Sequence, residues 1–327
     1  MQVAFQLREI EKNRNSVVTV GSFDGVHRAH QEIIRQVVAR AQARRGRSAV
    51  VTFEPHPSEV VRGKTGPVQL LTSLEERQRL VEPFGVDLFF VIPFDYDFSR
   101  QSSREFYVKY LVEGMGVSEV VEGYDHHFGR DREGSVEDLV KLGKEFEFSI
   151  TAVKPVYVGD VAVNSSRIRQ HLQEGTVEQA MVLLGRPYML DGTVVRGDAR
   201  GRELGYPTAN MRLKSARKLV PKNGIYFVQV GSLGSEKFGM ASIGVRPTFY
   251  TDGARVVEVN ILDFSDDIYG KDIDIYFLKR LRDELRFESA EALIQQMHKD
   301  KEASRQLQGE FQHLPANHHS YFIKKER

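Results

Sequence analysis

The chain of 327 residues has no cysteine and no tryptophan. Without cysteine there can be no disulfide scaffold and no thiolate catalysis, and any zinc site would rest on histidine and carboxylate alone. The same absence fits a reducing cytoplasm, which is the setting we expect. An excess of charge is also missing, since 46 Lys and Arg against 45 Asp and Glu leave a formal charge of +1. No global field selects nucleic acid or an anionic membrane, and no basic-aromatic stripe takes its place, so an anion must be held locally. No apolar run approaches the about 18 residues of a membrane span. The first residues, MQVAFQLREIEKNRN, reach a charge at Arg8 without the apolar stretch of a signal peptide. We therefore expect a soluble protein whose partners are small molecules, with neither nucleic acid nor membrane among them. Nothing in the sequence bears on oligomeric state.

What is present divides into two textures. From Ser16 to about Tyr157 apolar runs alternate with helical patterns. Val17 to Val20, Ala49 to Phe53, Val86 to Phe94, Val117 to Glu122 and Phe148 to Tyr157 read as strands; Leu74 to Phe84, Arg104 to Met115 and Val136 to Phe146 read as helices. This predicts a parallel, Rossmann-like α/β sheet with ligands beyond the carboxyl ends of its strands. Two short helices, near Ser166 to Gln173 and Val177 to Leu184, close it. After Gly185-Arg186-Pro187 period-2 runs take over, at Gly192 to Arg196, Ile225 to Val230, Met240 to Val245, Val256 to Leu262 and Ile273 to Leu278. They predict a small antiparallel β-barrel, followed by a helix from Ser289 to about Leu307. The expected domains are 1–185 and 186–310, with 311–327 a tail of unassigned structure.

The stretch GSFDGVHRAH, Gly21 to His30, joins the first buried strand to an amphipathic helix. Glycines there let the backbone approach a ligand, and the helix start offers N–H groups to an anion such as phosphate. His27 and His30, three apart, can both lean toward that guest and donate to oxygens that gain charge. A tight turn followed by surface histidines is the plainer reading of the same residues. Further along, Ser165 and Ser166 stand where helix caps would, and Arg167 supplies a forked donor suited to phosphate; caps and solvated charge are again the alternative.

GSFDGVHRAH resembles the HxGH-type signature of nucleotidylyltransferases. Together with TFEPHP (Thr52 to Pro57), LLTSLEERQRLVE (Leu70 to Glu82), PFDYDFS (Pro93 to Ser99) and NSSRIRQHL (Asn164 to Leu172), it is similar in order and spacing to the N-terminal half of bacterial bifunctional riboflavin kinase/FAD synthetases. The resemblance implies that Gly21, Ser22, Phe23, Asp24, Gly25, His27 and His30 bind ATP, with Ser165, Ser166 and Arg167 as a second phosphate clamp. It implies a flavin side formed by Pro55, His56, Pro57, Asp125 and Phe128. The chain departs from the pattern at Ser22, where the family usually has Asn, and at Ala29, where it usually has Gly. GYDHHFG (Gly123 to Gly129) also departs, with His126 and His127 in place of an aromatic and an arginine. Adjacent histidines on a strand or turn point apart, so they do not read as one metal site.

In the second texture, RGDARGRELGYPTAN (Arg196 to Asn210) concentrates glycines and arginines, while Thr208 and Asn210 offer the neutral oxygens that Mg²⁺ accepts beside phosphate. The run closely resembles the riboflavin kinase signature GRxLGYPTAN, which implies ATP contacts at Gly197, Gly201, Arg202, Tyr206 and Pro207 and a magnesium site at Thr208 and Asn210. Downstream, Val256 to Asn260 alternates as a strand with Glu258 and Asn260 on one face. The resemblance implies that Glu258 is the catalytic base. Asp263, Asp266 and Asp267 read as turn caps. The implied chemistry is phosphorylation of riboflavin to FMN by MgATP, then adenylylation of FMN to FAD by a second ATP. Two alternatives stay open: an active kinase beside an inactive or altered adenylyltransferase, and a flavin-binding regulator without catalysis.

Overall fold

The computed structural model describes residues 1–61, 68–123, 136–197, 205–234, 237–245 and 255–311. By packing, the chain divides into two units, Met1–Ser165 and Ser166–Arg327.

The first unit is built on β1 (Gln2–Ala4), β2 (Ser16–Val20), α1 (Arg28–Ala43), β3 (Arg47–Glu54), α2 (Pro57–Val61) and α3 (Leu74–Val81). It continues through β4 (Leu88–Pro93), α4 (Tyr96–Ser99), α5 (Ser103–Phe106), β5 (Val117–Gly123), α6 (Val136–Phe146) and β6 (Ser149–Val153). A small hairpin, β7 (Tyr157–Val158) with β8 (Val161–Ala162), ends it. Six strands form one sheet in the order β1-β4-β3-β2-β5-β6, and every neighbouring pair is parallel. Strands covered on both faces need apolar side chains throughout. All five residues of β2 are buried, three of them valines, with Ser16 and Thr19 as polar exceptions. On one face α1 packs Val37 and Ala41 against Val17, Val121 and Val153. On the other, Phe106, Tyr107, Leu111, Leu139 and Leu142 cover Val18, Val20, Ala49 and Val120.

Ser165 opens α7 (Ser165–Glu174), which is followed by α8 (Val177–Leu184). The barrel strands are β9 (Tyr188–Val195), β10 (Ala209–Leu213), β11 (Gly224–Gly231), β12 (Lys237–Val245), β13 (Arg255–Ile261) and β14 (Asp272–Arg282), and α9 (Ala290–Phe311) comes last. The barrel closes in the order β10-β13-β12-β11-β14-β9 with antiparallel pairing throughout, which leaves no open edge. By packing, α7 from Ser166 on and α8 belong with this barrel. The Lys222 amide donates to Leu172 O, and α8 lies against β9 and β14.

Both expected architectures are present, with local differences. The helix expected over Arg104 to Met115 is α5 running into a π-helical stretch, Tyr107–Met115, because its last amide bonds reach five residues back. β1, β8 and β10 are additional strands, the strand expected over Phe148 to Tyr157 ends at Val153, and the final helix extends to Phe311. Ser165 and Ser166 are the first two residues of α7 rather than caps before it.

α9 is held by a fork. Arg282 reaches Asp300 through Nε at 3.0 Å and Nη2 at 2.7 Å, both groups being largely buried, and Gln296 adds a donor to the same carboxylate at 2.9 Å. Removing one partner strands a buried charge. We expect Asp300→Ala to cost about 3 kcal/mol of barrel stability in urea unfolding, with the first unit unchanged.

Candidate functional site

The sheet reverses its winding at β2, which has β3 on one side and β5 on the other. In such a sheet the crevice at the switch point, beyond the carboxyl ends of the strands, is where a ligand enters. Gly21 to Asp24 lie there. The Gly21 amide still donates to Val51 O at 3.0 Å, and then the backbone leaves the sheet through left-handed conformations at Phe23 (φ 48°), Gly25 (φ 88°) and Val26 (φ 38°). Glycine takes that region freely, but Phe23 and Val26 are strained there and need neighbours to hold them.

Leu71, Thr72 and Ser165 are those neighbours. The buried Asp24 carboxylate accepts from the amides of Leu71 and Thr72, each at 2.9 Å through Oδ1, and from Thr72 Oγ1 at 3.2 Å. Thr72 Oγ1 in turn accepts from the Gly25 amide at 2.8 Å, and Ser165 Oγ donates to Asp24 O at 2.9 Å. The carboxylate is thus turned inward, where amides neutralise it. An outward carboxylate would repel an incoming phosphate.

His27 is buried and serves as the N-cap of α1, its Nδ1 accepting from the His30 amide at 3.4 Å. With Nδ1 an acceptor, the neutral ring carries its proton on Nε2. The His27 and His30 rings stack at 3.6 Å and 18°, and the Phe23 ring meets His30 edge-on at 5.1 Å. Ala29 lies in the first turn of α1, where its helical backbone makes no demand for glycine. Ser166 and Arg167 are exposed on the first turn of α7.

On the flavin side, Pro55, His56 and Pro57 are half-buried just beyond β3, and His56 Nδ1 accepts from the Ser58 amide at 3.2 Å at the start of α2. Asp125 and Phe128, and likewise Gly201 and Arg202 of the second signature, lie outside the described residues.

The second signature converges on Glu258. β10 pairs with β13 so that Asn210 lies opposite Glu258, and Thr208 Oγ1 donates to Glu258 Oε2 at 3.2 Å. Asn260 Nδ2 holds Pro207 O at 2.8 Å. Gly197 lies so close to Asn210 that a Cβ would strike the amide of that side chain. Tyr206 is buried, and its hydroxyl is 2.7 Å from His298 Nδ1 on α9. Burial, reinforced by Asp300 and Glu302, pushes that phenol above its usual pKa. Among the described residues no three His, Asp or Glu side chains gather as a metal cluster.

A family model for FAD synthetase matches residues 9–167, and one for riboflavin kinase matches residues 184–308. The chain is 40% identical over 291 residues to the bifunctional riboflavin kinase/FMN adenylyltransferase of Listeria monocytogenes, covering 89% of this chain and 92% of that one. It is 36% identical over 295 residues to the Escherichia coli K12 protein of the same name, covering 90% and 93%. The chain belongs to the bifunctional riboflavin kinase/FMN adenylyltransferase family. A crystal structure from Streptococcus pneumoniae called macrolide-efflux protein is also similar, with a TM-score of 0.83 and 34% identity, covering 93% of this chain and 98% of that one. Efflux does not carry over from that name. Among the described residues no helix is long and apolar enough to cross a membrane.

Which residues of the family pattern do structural work can be tested apart from activity. Asp24→Ala leaves the buried amides of Leu71 and Thr72 without their acceptor, at a cost of about 2 kcal/mol in unfolding of the first unit. Asp24→Asn, which keeps one carbonyl acceptor, should lose less in the same measurement.

Proposed function

We propose that the two activities of the family run at two separate sites of this chain: riboflavin phosphorylation at Glu258, and AMP transfer to FMN at the turn from Gly21 to His30. The reading is supported most by the meeting of Thr208, just before β10, with Glu258 of β13, 50 positions apart in sequence and 3.2 Å apart, beside Asn210 opposite Glu258 in the ladder.

In the kinase step the ribityl 5′-oxygen forms a bond to the γ-phosphorus of ATP while the bond to the ADP oxygen breaks. The attacking group is a neutral alcohol, so its proton must leave, and the Glu258 carboxylate accepts it. Thr208 orients that carboxylate from Oγ1. Asn210, packed against Gly197, and Thr208 offer neutral oxygens that would hold Mg²⁺. When bound, Mg²⁺ neutralises phosphate charge. Gly197, Gly201, Arg202, Tyr206 and Pro207 complete the nucleotide side in this reading.

In the adenylyl step an FMN phosphate oxygen attacks the α-phosphorus of ATP and pyrophosphate departs. That nucleophile is already an anion, so no base is required. Here His27, through its Nε2 proton, and His30 donate to phosphate oxygens, with Ser165, Ser166 and Arg167 as the second clamp. The flavin rests on the side of Pro55, His56, Pro57, Asp125 and Phe128. Both reactions belong to the cytoplasm in this proposal, and the functional boundary between the domains falls at 185/186.

The test tracks riboflavin, FMN and FAD over time with the purified protein, ATP and Mg²⁺. The wild type should make FMN before FAD. With each step assayed from its own substrate, His27→Ala should lose conversion of supplied FMN to FAD by about 100-fold and keep conversion of riboflavin to FMN, and Glu258→Gln should do the reverse. Loss of both activities from either single change in a folded protein would refute independent sites.

A further inference from the structure

Arg77 is among the largest fully buried side chains of the protein, although it sits within the charged run Glu75-Glu76-Arg77-Gln78-Arg79 of α3. Its Nη1 donates to Ser22 O at 2.9 Å, to Thr52 Oγ1 at 3.0 Å and to Phe53 O at 3.2 Å. Its Nη2 meets Glu54 Oε2 at 2.5 Å. Thr52 Oγ1 adds a second donor to Ser22 O at 3.2 Å. One guanidinium therefore ties the switch-point turn to the end of β3, immediately before Pro55-His56-Pro57.

The consequence lies in the peptide between Ser22 and Phe23. In a trans peptide the carbonyl of Ser22 and the N–H of Phe23 point in opposite directions. With the carbonyl pinned by Arg77 and Thr52, the Phe23 N–H points away from them, and among the described residues it donates to no other group. The same peptide leads into the strained positive φ of Phe23, which would relax if the peptide were free to turn.

Resting on the adenylyl-transfer reading above, we propose that Arg77 is a positioning residue for that reaction: it fixes the Ser22–Phe23 peptide so that the Phe23 N–H is aimed at a phosphate oxygen of the transition state. The effect passes through backbone, not through contact with substrate. Loss of one preorganised donor of this kind lowers kcat by about 100-fold or more, with a smaller effect on ground-state binding.

The experiment compares FAD formation and FMN formation in the full-length wild type, Arg77→Gln, Arg77→Lys and Thr52→Val, with thermal unfolding of each. Arg77→Gln should lower kcat for FAD formation about 100-fold while KM for ATP and FMN stays within about threefold. Arg77→Lys, which keeps the charge on a single donor nitrogen, should recover about tenfold. Thr52→Val should fall about tenfold in kcat, and it decides the matter if Arg77→Gln does not fold. FMN formation should hold within about twofold in all of them. An unchanged kcat in Thr52→Val, a loss in Arg77→Gln that appears only as raised KM, or a lysine variant no better than glutamine would overturn the proposal. A wild type that forms no FAD would instead strike the adenylyl-transfer reading itself.

Discussion

A parallel strand at which the winding of a sheet reverses cannot be roofed at its carboxyl end, because the crossover helices on its two sides depart to opposite faces. β2 is that strand, between β3 and β5, with α1 on one face and the α5 and α6 segments on the other. The gap has to be lined by the residues after Val20, and these must turn sharply while leaving polar groups facing outward. Two glycines within five residues and the left-handed conformations at Phe23 and Val26 are the local answer to that demand. A regular helix beginning directly at Gly21 would have filled the gap.

Strained backbone persists only where its surroundings outweigh the strain. Here the surroundings are ionic and buried. The Asp24 carboxylate and the Arg77 guanidinium lie on either side of the same short turn, one receiving amides from Leu71 and Thr72, the other donating to the carbonyl of Ser22. Isolated, each charge would be costly to bury, but each has its partners close at hand. The segment from Leu70 to Arg77 is thus tied to the turn at both ends, with the Ser73 and Glu76 capping box fixing where α3 begins between them.

The sequence carried the architecture wherever period and composition were strong over several residues, as in β2, β3, α1 and β11 to β14. It was weaker where an element is short or its sequence is shared with a motif. Gln2–Ala4 has three residues, too few for periodicity, and becomes a strand only by pairing with β4. Ala209–Leu213 follows Pro207 and ends a loop-like signature, so its strand character comes from β9 and β13 on either side. Nine residues are too few for the wider turn of a π-helical stretch to show in the apolar spacing, which is why Tyr107–Met115 reads as ordinary helix. For the sites, the motifs led to the turn and to Glu258, since signature and spacing both lie in the chain. Arg77 lies within the quoted run Leu70 to Glu82, but that run gave its side chain no role. An arginine among Glu75, Glu76 and Arg79 looks like solvated charge, and only the fold reveals that its guanidinium points into the interior.

The two chemistries assigned to the chain differ in the charge of their nucleophiles, and the two candidate sites differ in the same sense. An alcohol must lose a proton as it attacks, so a site for it needs an acceptor held in place; Glu258 has Thr208 beside it and Asn210 across the ladder. A phosphate has no proton to lose at its attacking oxygen, so a site for it needs donors alone, and the Asp24 carboxylate, the one acid within the turn, is turned inward where it cannot oppose the anion. Placement of carboxylates, more than their number, therefore separates the sites. In the barrel the carboxylate of Glu258 accepts from the Thr208 hydroxyl, and in the parallel sheet an acid of the same chemical type, Asp24, serves as a strut.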